Sequence, residues 1–293
     1  MLLLKNVYVF QAGIGVLANA FLLVFHIFTI HQIRRPRPTD MITCQLAFVH
    51  IVMLLTTLDI LSADMFKSVE FPNELKCKVL FYSSRMSRGL SISTTCLLSI
   101  VQVITISPSS FYLSRFKHKL TKHVVIAFFC IWSLNLSFHS NMIVYTVAHS
   151  NRSNQLNVSK YCSVSSMNSV ITTLFFILAL SQSVFFVGMM LFSSMYMVIF
   201  LCSHQRHSEY LHSMSISPKT SPAKRATCTV LVQVSFFVIM YCVDSIISSL
   251  STALWKYEPV VLDIHRLVGN VYATISPLVF IISDKRIVEM LKK

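Results

Sequence analysis

Residues 161–205 read YCSVSSMNSVITTLFFILALSQSVFFVGMMLFSSMYMVIFLCSHQ, 45 positions without one Asp, Glu, Lys or Arg. How many membrane crossings this run holds decides the fold. A bilayer core of roughly 30 Å takes about 20 apolar residues of helix, because each residue rises about 1.5 Å and every backbone N–H must be bonded within the segment. By length alone the run could hold two crossings. Its opening, Tyr161-Cys-Ser-Val-Ser-Ser-Met-Asn-Ser169, is polar and reads as loop. A second crossing would also move the basic segment that follows to the other side of the membrane. One helix, near 170–201, is the consistent reading.

Outward from this run, the same search finds charge-free stretches at 6–33, 41–58, 89–114, 123–151, 226–243 and 267–283. Trimmed of polar flanks, they give helices near 7–30, 40–61, 78–106, 123–147, 170–201, 225–251 and 260–282. The expected architecture is an all-α integral membrane protein, a single seven-transmembrane-helix bundle over 1–293. Composition agrees: 54% of residues are hydrophobic, 12% are charged, and mean hydropathy is +0.66. A soluble domain carries about 25% charged residues. The apolar content excludes disorder, five glycines exclude a collagen-like chain, and eight cysteines over 293 residues exclude a disulfide mini-protein.

Orientation follows from the short loops, where Lys/Arg bias acts. Segment 31–39 carries Arg34, Arg35 and Arg37; 107–122 carries Arg115, Lys117, Lys119 and Lys122; 202–225 carries Arg206, Lys219, Lys224 and Arg225; the tail carries Lys285, Arg286, Lys292 and Lys293. All lie on one face, opposed there by Asp40, Glu209, Asp284 and Glu289. Seven spans then put this face in the cytosol, with the N-terminus outside and the C-terminus inside. The loop at 148–169 carries two glycosylation sequons, at Asn151 and Asn157, usable only on the lumenal side. A third, Asn135-Leu-Ser137, lies inside helix 4 and reads as chance. The first apolar stretch is too long for a cleavable signal peptide and reads as a span that anchors itself. The loops leave no room for a soluble catalytic domain, and no internal repeat is visible.

Cys77, at the outer end of helix 3, and Cys162, in the loop between helices 4 and 5, both face the oxidising side, where a disulfide persists. The expectation is a bridge, and the alternative is two free thiols. The other cysteines read as small packing residues, with no zinc spacing. Ionisable groups inside a membrane are costly and each asks for a function. Arg88 lies about 16 Å below Cys77 along helix 3, and Asp244 lies about 12 Å from the outer end of helix 6. The two depths nearly match, so Arg88 and Asp244 are expected either to pair or to share a polar ligand, with Ser84, Arg85 and Tyr241 as neighbours. His50 reads as a hydrogen-bonded core histidine and Asn19 as interhelical hydrogen-bond glue. Pro277 removes one backbone bond within helix 7 and should kink it, which makes a swinging point or a fixed bend.

Some patterns are decoys. Gly13-Ile-Gly15-Val-Leu-Ala18 mimics a dinucleotide fingerprint but sits in a membrane helix with no preceding strand, and reads as helix packing. The cluster from His204 to His212 resembles one histidine box of a membrane di-iron enzyme, and such enzymes need several. No metal site, cofactor or nucleophile constellation is expected, so the chain is not read as an enzyme. The basic loops suit acidic membrane lipids better than nucleic acid.

The stretch Arg88-Gly-Leu-Ser-Ile-Ser-Thr-Thr-Cys-Leu-Leu-Ser-Ile-Val-Gln-Val-Ile-Thr-Ile-Ser-Pro108 resembles the helix 3 signature of vomeronasal type-1 receptors, G-protein-coupled pheromone receptors. Ala226-Thr-Cys-Thr-Val-Leu231, Asp244-Ser-Ile-Ile-Ser248, Asn270-Val-Tyr-Ala-Thr-Ile-Ser-Pro277 running to Ile287, and Asn157-Val-Ser159 before Cys162 join it, so the resemblance covers the chain. It implies a multi-pass plasma-membrane receptor that detects a small-molecule pheromone or social cue and activates a heterotrimeric G protein of the Gi/Go class. Its ligand would sit among the outer halves of helices 3, 5, 6 and 7. Arg115, Lys117, Arg206, Lys224, Arg225, Lys285 and Arg286 would face the G protein. A bitter-taste-type chemoreceptor and a small transporter are the alternatives.

The chain departs from the wider rhodopsin-like pattern. Val101-Gln102-Val103 stands where Asp-Arg-Tyr is usual, His50 where helix 2 usually has Asp, and Ser276-Pro-Leu-Val-Phe280 where Asn-Pro-x-x-Tyr is usual. Leu201-Cys-Ser-His204 lacks the Tyr-Arg that precedes the histidine in vomeronasal type-1 receptors. The conformational switch is therefore expected to use other contacts, with Asn19, His50, Gln102 and Pro277 as candidates.

Overall fold

The computed structural model describes residues 2–32, 37–65, 74–107, 119–148, 156–157, 162–164, 169–211, 231–232, 234–236, 238–240, 242–243 and 259–291. The helices are α1 (Leu2–Gln32), α2 (Pro38–Met65), α3 (Glu74–Ile106), α4 (Leu120–Phe138), α5 (Asn141–Tyr145), α6 (Ser169–Leu211), α8 (Pro259–Ser283) and α9 (Lys285–Leu291). The described residues within 231–243 are helical and are labelled α7. Three short strands, β1 (Thr146–Ala148), β2 (Leu156–Asn157) and β3 (Cys162–Val164), pair antiparallel in the order β1-β3-β2. Among the described residues, six helices are long and apolar enough to cross a membrane.

The helices are turned inside out relative to a soluble bundle. Along α1, Phe10, Leu17, Val24 and Phe28 are exposed, while Tyr8, Asn19 and His26 are buried with Ala12 and Leu22. Polar side chains lie inward and large apolar ones outward, as lipid requires, since hydrocarbon satisfies no hydrogen bond. α6 repeats the pattern, with Phe185, Phe192 and Ile199 exposed and Met190, Ser193 and Met197 buried. Helix α3 is the central post, packed against α2, α4, α6 and β1. Cys96 of α3, Met190 and Met197 of α6, Val234 of α7 and Tyr272 of α8 form one buried cluster.

Two expected boundaries shift most. The fourth span does not run unbroken from 123 to 147: α4 stops at Phe138 and α5 at Tyr145, and the chain then enters β1. The Ser140 hydroxyl donates to the Ser137 carbonyl at 2.8 Å and its amide reaches the same oxygen at 3.3 Å, a serine turn that competes with the helix. Beyond it, Thr146 and Val147 are β-branched and favour strand. The fifth helix, expected to end near 201, continues to Leu211. No Gly or Pro interrupts 201–211, so the ladder propagates past the apolar stretch.

Two glycines permit close approach. A Cβ on Gly15 would lie 2.7 Å from Leu54 Cδ1 of α2 and 3.0 Å from Thr274 Oγ1 of α8, so three helices converge there. Gly13 meets nothing within 4 Å, which leaves Gly15 as the packing half of the Gly13/Gly15 pair. On α3, a Cβ on Gly89 would collide with Asn135 Oδ1 of α4 and lie 3.0 Å from His139 Nε2. Gly89→Ala must therefore displace the buried Asn135 side chain or push α4 away, at a cost of ~2 kcal/mol. Thermal unfolding of detergent-solubilised protein should show a fall of several degrees for Gly89→Ala. No such fall should follow Gly188→Ala, where nothing lies within 4 Å.

Candidate functional site

The disulfide end of the bundle is fixed by the bond between Cys77, in the first turn of α3, and Cys162 of β3, whose Cα atoms lie 5.9 Å apart. Both cysteines are buried, and β3 is the central strand of the small sheet, so the bond fastens the sheet to α3. Deeper along α3, Ser84 and Arg88 are half-buried and Arg85 is exposed. Tyr8 of α1 is buried, within electrostatic range of both Arg88 of α3 and Arg266 of α8 and close to Thr57 of α2. Arg266 is itself only 8% exposed. Cations of α3 and α8 thus act on one phenol of α1. The carbonyl of Arg266 accepts from Asn270 Nδ2 at 2.6 Å, and that of Leu267 accepts from Gln11 Nε2 at 3.3 Å, which seats this end of α8.

Midway, polar groups cross-link the helices. His50 of α2 is fully buried; its Nε2 lies 2.9 Å from Ser91 Oγ of α3 and its Nδ1 3.3 Å from Ser276 Oγ of α8. One ring nitrogen donates and the other accepts, and a serine hydroxyl can meet either role. The ring stands edge-on to Tyr272, whose hydroxyl lies 3.1 Å from Thr95 Oγ1. Asn19 of α1 donates to the Gly15 carbonyl at 2.7 Å and to the Ala273 carbonyl of α8 at 2.9 Å. Ala273 is four residues before Pro277, so its carbonyl is the one that Pro277 leaves without an N–H. Asn19 supplies the missing donor from another helix.

A second junction lies between α3, α4 and α6. Asn135 is fully buried, donates to Ser93 Oγ at 3.3 Å and to the Ile131 carbonyl at 2.8 Å, and accepts from Gln182 Nε2 at 3.1 Å. At the opposite end of the bundle, Gln102 is half-buried in α3, and Ser107 Oγ meets Tyr196 OH of α6 at 3.0 Å. There Arg286 of α9 is shared by Asp40 of α2 and Asp284, with Nη2 at 2.7 Å from an oxygen of each. Hydrogen bonds from the guanidinium to Asp284 and then to Asp40 push its pKa above the ordinary arginine value.

Of the expected ligand-contacting residues, Ser84, Arg85 and Arg88 share one stretch of α3, while Tyr241 and Asp244 lie outside the described residues. So do Asn151, Arg115, Lys117, Lys224 and Arg225, and only the backbone is described at Asn157 and Arg206. Lys285 is exposed on α9 and Arg286 is half-buried. The signals that mark the spans do not single out Arg266, Tyr8, Asn135 or Tyr272. Arg266 stands one residue outside the charge-free run that marks α8. Among the described residues no group of His, Cys, Asp or Glu is placed to hold a metal.

Six spanning helices and the helical segment α7, with polar junctions inside, an apolar exterior and a disulfide-tied sheet, give the seven-helix architecture of G-protein-coupled receptors. The fold is similar to that of squid rhodopsin, with a TM-score of 0.73 and 14% identity over 98% of this chain and 78% of that one. Residues 3–293 match the family described as the vomeronasal organ pheromone receptor family. Rat vomeronasal type-1 receptor 90 is 41% identical, covering 96% of this chain and 91% of its own length. Rat receptor 94 is 38% identical and mouse receptor 45 is 36% identical, each over 99% of this chain and 89% and 91% of their own. The chain belongs to the vomeronasal type-1 receptor family, multi-pass membrane receptors of the G-protein-coupled chemosensory class, which is not an enzyme class. The alternatives raised by the sequence give way to this membership.

Proposed function

We propose that this receptor detects a small pheromone-like molecule within the disulfide half of the bundle and signals through a Gi/Go-class heterotrimeric G protein. The disulfide end faces outward and the basic end, with Arg115, Lys117, Arg206, Lys224, Arg225 and Lys285, faces the cytosol, the G protein and acidic lipid headgroups. The observation that carries this reading is that Arg88 of α3 and buried Arg266 of α8 both act electrostatically on buried Tyr8 of α1. Charge held inside a membrane bundle is costly and marks a place where a polar group of a ligand is recognised. Arg88 and Asp244 supply the polar contacts, with Ser84, Arg85 and Tyr241 beside them. Below this site the junctions at Tyr272, His50 and Asn19 carry a change in packing toward α9. A ligand drives the change only through a difference in affinity between the two arrangements.

The test begins with a screen of volatile and steroid-like molecules in cells that report calcium and cAMP. Arg88→Ala and Asp244→Ala should each abolish the evoked response at unchanged surface density, and pertussis toxin should abolish it in the wild type. Full responses in both variants would remove these residues from the site. Toxin-resistant responses would remove the Gi/Go assignment.

A further inference from the structure

The charge cluster at the cytosolic end does something that a docking surface does not require. Arg286 grips Asp40 with both ends of its guanidinium, Nη2 at 2.7 Å from Oδ1 and Nη1 at 3.3 Å from Oδ2. The Asp40 side chain is only 4% exposed, and His26 Nδ1 of α1 lies 3.4 Å from the same Oδ1. Asp284, between α8 and α9, holds the arginine from its own side: its Oδ1 accepts the Arg286 backbone N–H at 2.9 Å, and its carboxylate accepts Nε at 3.2 Å and Nη2 at 2.7 Å. The next residue, Ile287, is fully buried against Leu22 of α1 and Ala47 of α2. The aliphatic and ionic contacts together clamp α9 across the ends of α1 and α2. A basic side chain at the cytosolic end is thereby turned inward.

The clamp stands at the end of a lever. From Pro277 to the end of α8 at Ser283 is about 9 Å of helix, so a swing of roughly 10° at the proline carries the start of α9, and Arg286 with it, by about 1.6 Å. That is enough to take a hydrogen bond of 2.7 Å beyond its working range. Because Asp40 is buried, its carboxylate cannot exchange the arginine for bulk water, so the contact behaves as made or broken rather than as a graded attraction.

We propose that Arg286, Asp40 and Asp284 form an autoinhibitory latch, which fastens α9 to α2 in the resting receptor and opens when α8 swings about Pro277. Opening releases the Arg286 guanidinium toward the G protein and frees the end of α2. This rests on the cytosolic placement proposed above and on G-protein coupling, but on no particular ligand and no particular G-protein class.

The experiment reads ligand-independent activity in intact cells with energy-transfer sensors for all four Gα classes, at surface densities matched through an N-terminal epitope. Asp40→Asn and Arg286→Gln should each raise basal activity roughly fivefold or more, the scale of typical allosteric couplings. The exchange Asp40→Arg with Arg286→Asp should return it toward wild type. A rise through a class other than Gi/Go would leave the latch standing and overturn only the coupling assignment. Unchanged basal activity across all four sensors in both single variants would overturn the latch. If the single variants do not reach the surface, the charge-conserving Arg286→Lys and Asp40→Glu decide, since each keeps the charge and loses the two-point grip of guanidinium on carboxylate. Each should raise basal activity above wild type, and wild-type basal activity in both would overturn the proposal.

Discussion

Cys77→Ser or Cys162→Ser should remove nearly all functional receptor from the cell surface, at least a tenfold loss against wild type. The bond spans a sequence separation of 85 residues, and a cross-link closing a loop of that size is worth up to ~4.6 kcal/mol in the chain-entropy account. Helices threaded through a membrane stay partly ordered when packing fails, so that figure is a ceiling. The local consequence is sharper. Cys162 opens β3, the strand that pairs on one side with β1 and on the other with β2. Without the bond, a three-stranded sheet with strands of two or three residues has too few ladder contacts to stand alone. Surface labelling of an epitope-tagged receptor checks the loss. The double variant should be no worse than either single one, because the cysteines act as one unit. Wild-type surface density in both single variants would show that the sheet is held by something else.

His50→Ala should lower the stability of the solubilised receptor by about 3–5 kcal/mol, since it opens a cavity where three helices meet and strips two buried hydroxyls of their partner. Both hydroxyls, Ser91 and Ser276, are buried. His50→Leu fills most of the volume, and each serine can turn back to a carbonyl of its own helix, so its cost should be smaller. Thermal unfolding in detergent should therefore rank wild type above Leu and Leu above Ala. A His50→Ala variant as stable as wild type would mean that the imidazole holds nothing together. The test also bears on signalling, because Ser276 immediately precedes Pro277 and a moving α8 must carry the His50 contact with it.

The spans are legible because bilayer chemistry writes them in one dimension: a segment that crosses hydrocarbon excludes charge, and the gaps between charges mark it. The bond between Cys77 and Cys162 is legible for a similar reason, since one-sided placement follows from counting spans. What escapes is two-dimensional. Asn19 reads as interhelical glue with no partner named and Pro277 as a backbone feature of its own helix, yet Asn19 supplies the donor that Pro277 lacks across 254 positions of chain. No local rule joins them. Asn135 reads as chance because Asn135-Leu-Ser137 has the form of a sequon inside a helix, and the same burial that forbids glycosylation makes it a junction of α3, α4 and α6. Arg286 counts toward the basic cytosolic face because a charge tally ignores partners, and two carboxylates claim it. The small sheet escapes because β1, β2 and β3 are too short to show alternation.

The hydroxyls of α3 look inward in a literal sense. Ser87, Ser93, Thr95, Ser99 and Thr105 each donate to the carbonyl four residues earlier, at 2.6 to 3.2 Å. Each polar group is thus satisfied within its own helix before any neighbour arrives. For the translocon that threads the nascent chain into the bilayer, α3 is less polar than its letters suggest. The toll on its insertion falls on Arg85 and Arg88, at up to ~3 kcal/mol each near the midplane and less toward the interface.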